Sequence, residues 1–132
     1  MESEYSISLQ KIINEFQLGV IYLPEDAENI FIKNTEVNRP GLALSGYFGN
    51  FEPSRIEIIG RAEHGYLEQL STEERIFKIR QFIDQKPACV IVSTGLPAFD
   101  EMYDEAKKMA VPILCTKEKN PPMVSKTPGD RA

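Results

Sequence analysis

The chain has 132 residues, of which 42% are hydrophobic and 27% charged, and a net charge of −5. This is the length of one domain, with enough apolar material for a real core and too much for a disordered chain. No apolar run approaches the ~20 residues of a membrane span, Met1-Glu2-Ser3-Glu4 is the reverse of a basic leader, and an acidic body repels phosphate backbones, so neither membrane nor nucleic acid is expected as a partner and a cytoplasmic location is.

Leu9, Ile12, Ile13 and Phe16 recur at i, i+3, i+4 and i+7, which predicts an amphipathic helix from Ser8 to about Gln17, capped by Ser8 and ended by Gly19. Val20-Ile21-Tyr22-Leu23 reads as a strand, Pro24-Glu25-Asp26 as a turn, and Asn29 to about Val37 as a second strand, so a hairpin or small subsheet is expected. In Asn38-Arg39-Pro40-Gly41, Pro40 forces Arg39 to be extended and Gly41 permits positive φ, giving a defined turn. Leu42 to Phe48 is too apolar for a solvated loop and must pack against something. Arg55-Ile56-Glu57-Ile58-Ile59-Gly60 then forms a strand, with Arg61 just past its end.

Ser71-Thr72-Glu73-Glu74 has the spacing of a capping box, and the stripe Ile76, Ile79, Phe82, Ile83 predicts a helix from about Thr72 to Asp84. Ala88 to Ser93 is an uncharged run between Pro87 and Gly95; a half-exposed strand would alternate, so this one is buried on both faces and central. Phe99, Met102, Tyr103, Ala106 and Met109 mark a second crossover helix, acidic early and with Lys107-Lys108 late, as the helix dipole prefers. Pro112 opens a last strand ending near Thr116.

The order is β-α-β-α-β over residues 56–116, which predicts an α/β, three-layer-like domain with a small, mainly parallel sheet, joined by an N-terminal helix and short strands. The domain should span 1–116. Residues 117–132, with Pro121, Pro122 and Pro128, are expected to be a flexible tail.

Catalytic chemistry has little to stand on. A phosphate-binding loop is written G-x-x-x-x-G-K-[ST], and none of the eight glycines is followed by lysine. Cys89 and Cys115 sit in apolar strands as small hydrophobes and could bridge only if those strands are adjacent; with a single histidine, His64, no zinc set forms. His64 has no flanking acid-base pattern and reads as an ordinary surface or half-buried histidine, and Glu73-Glu74 and Asp104-Glu105 read as solvated charge.

Asn38 to Phe48, Arg55 to Arg61, Glu63 and Leu67-Glu68-Gln69-Leu70 resemble the amino-terminal domain of bacterial HPr kinase/phosphorylase, with a looser likeness through Pro112-Ile113-Leu114-Cys115-Thr116. The resemblance implies a fold similar to the amino-terminal domain of muramyl-peptide ligases. It also implies a noncatalytic regulatory or architectural domain preceding a P-loop domain that phosphorylates a serine of the phosphocarrier HPr with ATP, reverses that reaction by phosphorolysis, and governs carbon catabolite repression. ATP and Mg²⁺ then belong to that catalytic domain and no cofactor to this chain. The implied partners are the catalytic domain, HPr indirectly, and further subunits of a hexamer.

What remains is binding. Arg61, Thr94, Gly95 and Thr116 follow three parallel strands and should converge at one sheet edge, where ligands gather, with Gly95 letting N–H groups face a phosphate-type anion just before a helix. The bland alternative is a tight turn at Gly95, a helix cap at Thr94 and an Arg61–Glu63 pair. Asn38, Arg39, Tyr47 and Phe48 form either a partner interface or a self-anchored turn with a filled core. A free-standing small-molecule sensor or interaction module with this fold is the second functional reading, and a small enzyme using the strand-end pocket a third.

Overall fold

In a computed structural model, residues 7–32, 37–38 and 55–119 are described, 37–38 by their backbone alone. The elements run β1 (Ile7–Ser8), α1 (Leu9–Glu15), β2 (Gly19–Tyr22), a 3₁₀ turn (Ala27–Asn29), β3 (Phe31–Ile32), β4 (Val37–Asn38), β5 (Ile56–Ile59), α2 (Arg61–Glu68), α3 (Thr72–Asp84), β6 (Cys89–Val92), α4 (Asp100–Met109) and β7 (Ile113–Cys115). Five strands pair in the order β2-β7-β6-β5-β4. Strands β4 to β7 are parallel and β2 closes the edge antiparallel to β7.

Period-two alternation divides the core between the sheet's two faces. Cys89 and Ile91 of β6 join Ile56, Ile58 and Leu114 under Leu9, Ile12 and Ile13 of α1. Val90 and Val92 point the other way, with Ile59 and Ile113, against Leu67, Ile79, Phe82, Ile83, Met102 and Ala106 of the three longer helices. All four residues of β6 are buried, as expected of a strand covered on both sides. The α/β class and the parallel β-α-β-α-β order both stand.

Local signals are realised at both predicted caps: Ser8 Oγ accepts from the Lys11 N–H at 3.1 Å and Ser71 Oγ from the Glu74 N–H at 3.2 Å. Other expectations are corrected. The strand at 19–22 makes no hairpin with its successor: β2 pairs with β7, while β3 pairs with β1 in a separate two-stranded sheet. Gly19 does not end α1, which stops at Glu15; Gln17, at φ 53°, makes the turn and Gly19 opens β2. A Cβ there would lie 2.6 Å from Cys115 Sγ, so any larger residue would have to displace that side chain. The two cysteines occupy adjacent strands yet serve opposite faces, and both are free. Burial pushes the Cys89 thiol up to about 12, with the Glu57 charge adding to it.

Helix α2 was not foreseen. Its N-terminus is closed by Glu63, whose Oε1 accepts the Gly60 N–H at 2.8 Å. Its C-terminus is closed by Arg75 of α3, which donates to the carbonyls of Leu67 (2.8 Å), Glu68 (3.2 Å) and Leu70 (3.0 Å) and bonds Glu101 at 3.2 Å. Glu105 also departs from expectation: only 5% exposed, it is held by Arg80 at 3.1 Å across the α3–α4 seam and by Lys108 of its own helix at 3.4 Å. The hydrogen bond from Arg80 holds its carboxyl below the ordinary range against the opposing effect of burial.

Candidate functional site

The carboxyl ends of β5, β6 and β7 lie side by side, and β2 begins at the same end of the sheet because it runs antiparallel to β7. Past β6, Ser93, Thr94, Gly95 and Leu96 form a tight turn, with the Leu96 N–H on the Ser93 carbonyl at 3.2 Å. Thr94 and Gly95 both take left-handed backbone, at φ 62° and 66°. Glycine adopts this freely, whereas a β-branched threonine does so at a cost of about 1–2 kcal/mol.

The turn's N–H groups are engaged within the protein. Thr94 N donates to Glu118 O at 2.9 Å and Gly95 N to Thr116 O at 3.0 Å, while Glu118 N donates to Thr116 Oγ1 at 3.2 Å. Residues 116–118 thus lie along the turn as a strap. Ser93 is fully buried and its hydroxyl donates to Ile59 O at 3.3 Å, so in the 3.2 Å contact between the two hydroxyls Thr94 is the donor.

Thr94, Gly95 and Thr116 therefore meet, joined by main-chain bonds. Arg61 is the exposed first residue of α2, and among the described residues it has no ion-pair partner; Glu63 serves the Gly60 N–H instead. Thr94 caps no helix, since α4 begins at Asp100 after Phe99. Gly95 consequently stands well ahead of that helix rather than at its start. Asn38 pairs in register with Glu57 through β4, and Arg39, Tyr47 and Phe48 lie outside the described residues.

Between the strap, the turn and the end of α1 lies a cleft of about 480 Å³ lined by Phe16, Gln17, Gly19, Gly95, Leu96, Cys115, Thr116, Lys117 and Glu118. Its size falls in the range of small-molecule sites, and its position at the strand ends is the usual one for a parallel sheet. The sequence reading found Gly95 and Thr116 but not Gln17, Lys117 or Glu118. Only the long-range β2–β7 pairing brings the α1–β2 turn to this edge, and no local pattern carries that information.

On the helix side, the loop leaving the turn is anchored by His64, 5% exposed, whose Nε2 lies 2.9 Å from Pro97 O and whose ring stacks on Phe99 at 4.5 Å between centroids. The Arg75 guanidinium lies 5.2 Å from the Phe99 ring centroid. His64 is thus a structural tie between α2 and this loop. Among the described residues no cluster of three potential metal ligands exists, and no helix is long and apolar enough to cross a membrane.

Taken together, the sheet order and the helices packed on its faces define an α/β domain with a cleft at its strand ends. Residues 7–127 match the family model described as the HPr serine kinase N terminus, and the chain belongs to that family. Relatives include the HPr kinase/phosphorylases of Clostridium botulinum strain Alaska E43, 36% identical over 121 residues, and Clostridium perfringens strain 13, 37% identical over 108. The chain is covered to 92% and 82% in these matches, but spans only 39% and 34% of those relatives' length. A solved structure of the CBS and DRTGG domains of the regulatory region of Clostridium perfringens pyrophosphatase, complexed with the activator diadenosine tetraphosphate, is similar with a TM-score of 0.59 at 19% identity. That match covers 84% of this chain and 41% of the other, and shares the fold.

Proposed function

We propose that this chain acts as the noncatalytic, regulatory or architectural N-terminal domain of an HPr kinase/phosphorylase, working on a P-loop catalytic domain that phosphorylates and dephosphorylates HPr. The observation that carries the reading is the match of residues 7–127 to the N terminus of this kinase family in a sequence without the phosphate-loop motif. On this reading ATP and Mg²⁺ are handled by the catalytic domain, HPr is touched indirectly, the assembly is a hexamer, and the work is done in the cytoplasm. The further likeness to the muramyl-peptide ligase domain belongs to the same proposal.

The test is reconstitution. The chain alone, with ATP, Mg²⁺ and HPr, is expected to yield no phosphoserine; mixed with the catalytic portion of a clostridial relative, it should co-elute with that portion and alter its rate. Phosphorylation by the chain alone, or neither association nor a rate effect, would overturn the reading.

An anionic effector bound by Arg61, Thr94, Gly95 and Thr116 remains part of the proposal, in a specific form. With the Thr94 and Gly95 N–H groups already donated to carbonyls and the Thr94 hydroxyl to Ser93 Oγ, the Arg61 guanidinium and the Thr116 hydroxyl would have to hold the anion. A thermal-shift screen with phosphate, pyrophosphate and sugar phosphates should then give a stabilisation lost in Arg61→Ala, because a ligand that binds only the folded state raises its Tm. A shift that survives the substitution would remove Arg61 from the site.

A further inference from the structure

We propose that the strand-end cleft binds a free α-amino acid with an apolar side chain. Its lining is of two kinds: Phe16, Leu96 and Cys115 are half-buried, whereas Gln17, Lys117 and Glu118 are exposed. An apolar interior with a few polar groups at its rim is the make-up of a site for an amphipathic small molecule. Its volume of about 480 Å³ lies toward the lower end of the range for such sites, which favours a compact ligand.

The rim carries one charge of each sign. Among the described residues, neither the Lys117 ammonium nor the Glu118 carboxylate has a hydrogen-bond or ion-pair partner. The N–H groups of Thr94, Gly95 and Glu118 are already donated to Glu118 O, Thr116 O and Thr116 Oγ1, so the turn offers no nest of free donors to a phosphate. A ligand matched to this rim bears opposite charges close together and is neutral overall, which also suits a domain of net charge −5. A zwitterionic α-amino acid has that form. Its carboxylate meets Lys117, its ammonium meets Glu118, and the Gln17 amide can donate to the one or accept from the other.

The half-buried residues select the side chain. A leucine, methionine or phenylalanine side chain laid against Phe16 and Leu96 leaves water for an aromatic and an aliphatic surface, with Cys115 as a soft, polarizable neighbour. At Gly95 the position of a Cβ has no atom within 4 Å, so this wall is bare backbone that a ligand can approach closely. Arg61 does not line the cleft, so the inference stands apart from the anion reading, and it does not depend on the kinase assignment.

The experiment combines thermal shift and calorimetry on the 132-residue chain with L-leucine, L-methionine and L-phenylalanine. The controls are isocaproate, isopentylamine and glycine, which lack in turn the ammonium, the carboxylate and the side chain of leucine. At least one of the three amino acids is expected to raise Tm by about 3 °C or more at about 10 mM, and the controls to bind at least about tenfold more weakly than it does. Lys117→Gln and Glu118→Gln should each weaken binding about tenfold and leave the Tm of the free protein unchanged, because both side chains are exposed. Arg61→Ala should leave the affinity unchanged. Absence of binding by all three amino acids would overturn the proposal. So would a control that binds as tightly as the amino acids, since a charged end or the apolar contact would then be idle. Affinity lost in Arg61→Ala would move the carboxylate to the anion site and overturn it as well.

Discussion

Gly19→Ala provides a sharp test of the edge pairing. Gly19 faces Cys115 in the β2–β7 register, and a methyl group there would sit 2.6 Å from Sγ, about 1 Å inside ordinary contact. Either β2 backs away, weakening a four-residue edge strand, or Cys115 leaves its rotamer, at about 0.5–1.5 kcal/mol. Overpacking of this kind costs about 1–3 kcal/mol, offset by about 0.4–1 kcal/mol from the reduced freedom of the unfolded chain. The net expectation is a loss of about 1–2 kcal/mol, readable as a lower urea midpoint at unchanged slope. The double-mutant cycle isolates the cause: in a Cys115→Ala background, the clash is gone and Gly19→Ala should be neutral or slightly stabilising. A loss of the same size in both backgrounds would refute the steric argument.

Arg75→Ala should cost about 2–4 kcal/mol by urea denaturation, because one side chain serves three carbonyls, Glu101 and the Phe99 ring, and Arg75→Lys should not restore it, since an ammonium cannot reproduce the planar fork. Thr94→Gly should stabilise the domain by about 0.5–1 kcal/mol, as glycine relieves the left-handed threonine at φ 62° while losing one contact to Ser93; a loss in Tm would mean that the hydroxyl matters more than the strain. Glu105 has a depressed folded pKa, so its contribution is present above the unfolded carboxyl value and is lost as pH falls through the folded one. Glu105→Gln should therefore be about 1 kcal/mol less stable than the parent at pH 7, with the gap closing below about pH 4 in pH-resolved melting curves.

The parts of the fold legible in the sequence are those whose signal is local. The stripe and cap of α3, the acidic-to-basic gradient of α4 and the uncharged run of β6 each carry their own pattern, and the parallel order follows from alternating them. Helix α2 hid because Arg61-Ala62-Glu63-His64-Gly65-Tyr66-Leu67-Glu68 offers few apolar positions and an internal glycine; its ends are closed by Glu63 and by an arginine from the next helix. Glu63, three residues after Gly60, was the available clue. Glu105 looked solvated because its partner Arg80 lies on another helix. At the site, Thr94, Gly95 and Thr116 were found by the general rule for strand ends, but the engagement of their N–H groups by 116–118 depends on where β7 leads the chain, and the α1–β2 lip depends on a pairing that no window of residues contains.

That pairing also bears on the order of assembly. β2 is made early in the sequence yet has no partner until β7 is in place roughly ninety residues later, so the closure entropy of nearly the whole domain must be met before its hydrogen bonds form. The crossover units from β5 to β7 can gather through nearer contacts, and β2 then docks as the last seam to close and the first to part. Amide exchange should record this as early loss of protection at 19–22 while 89–92 holds to global unfolding. The cleft, with one lip on each side of that seam, would open and shut with it.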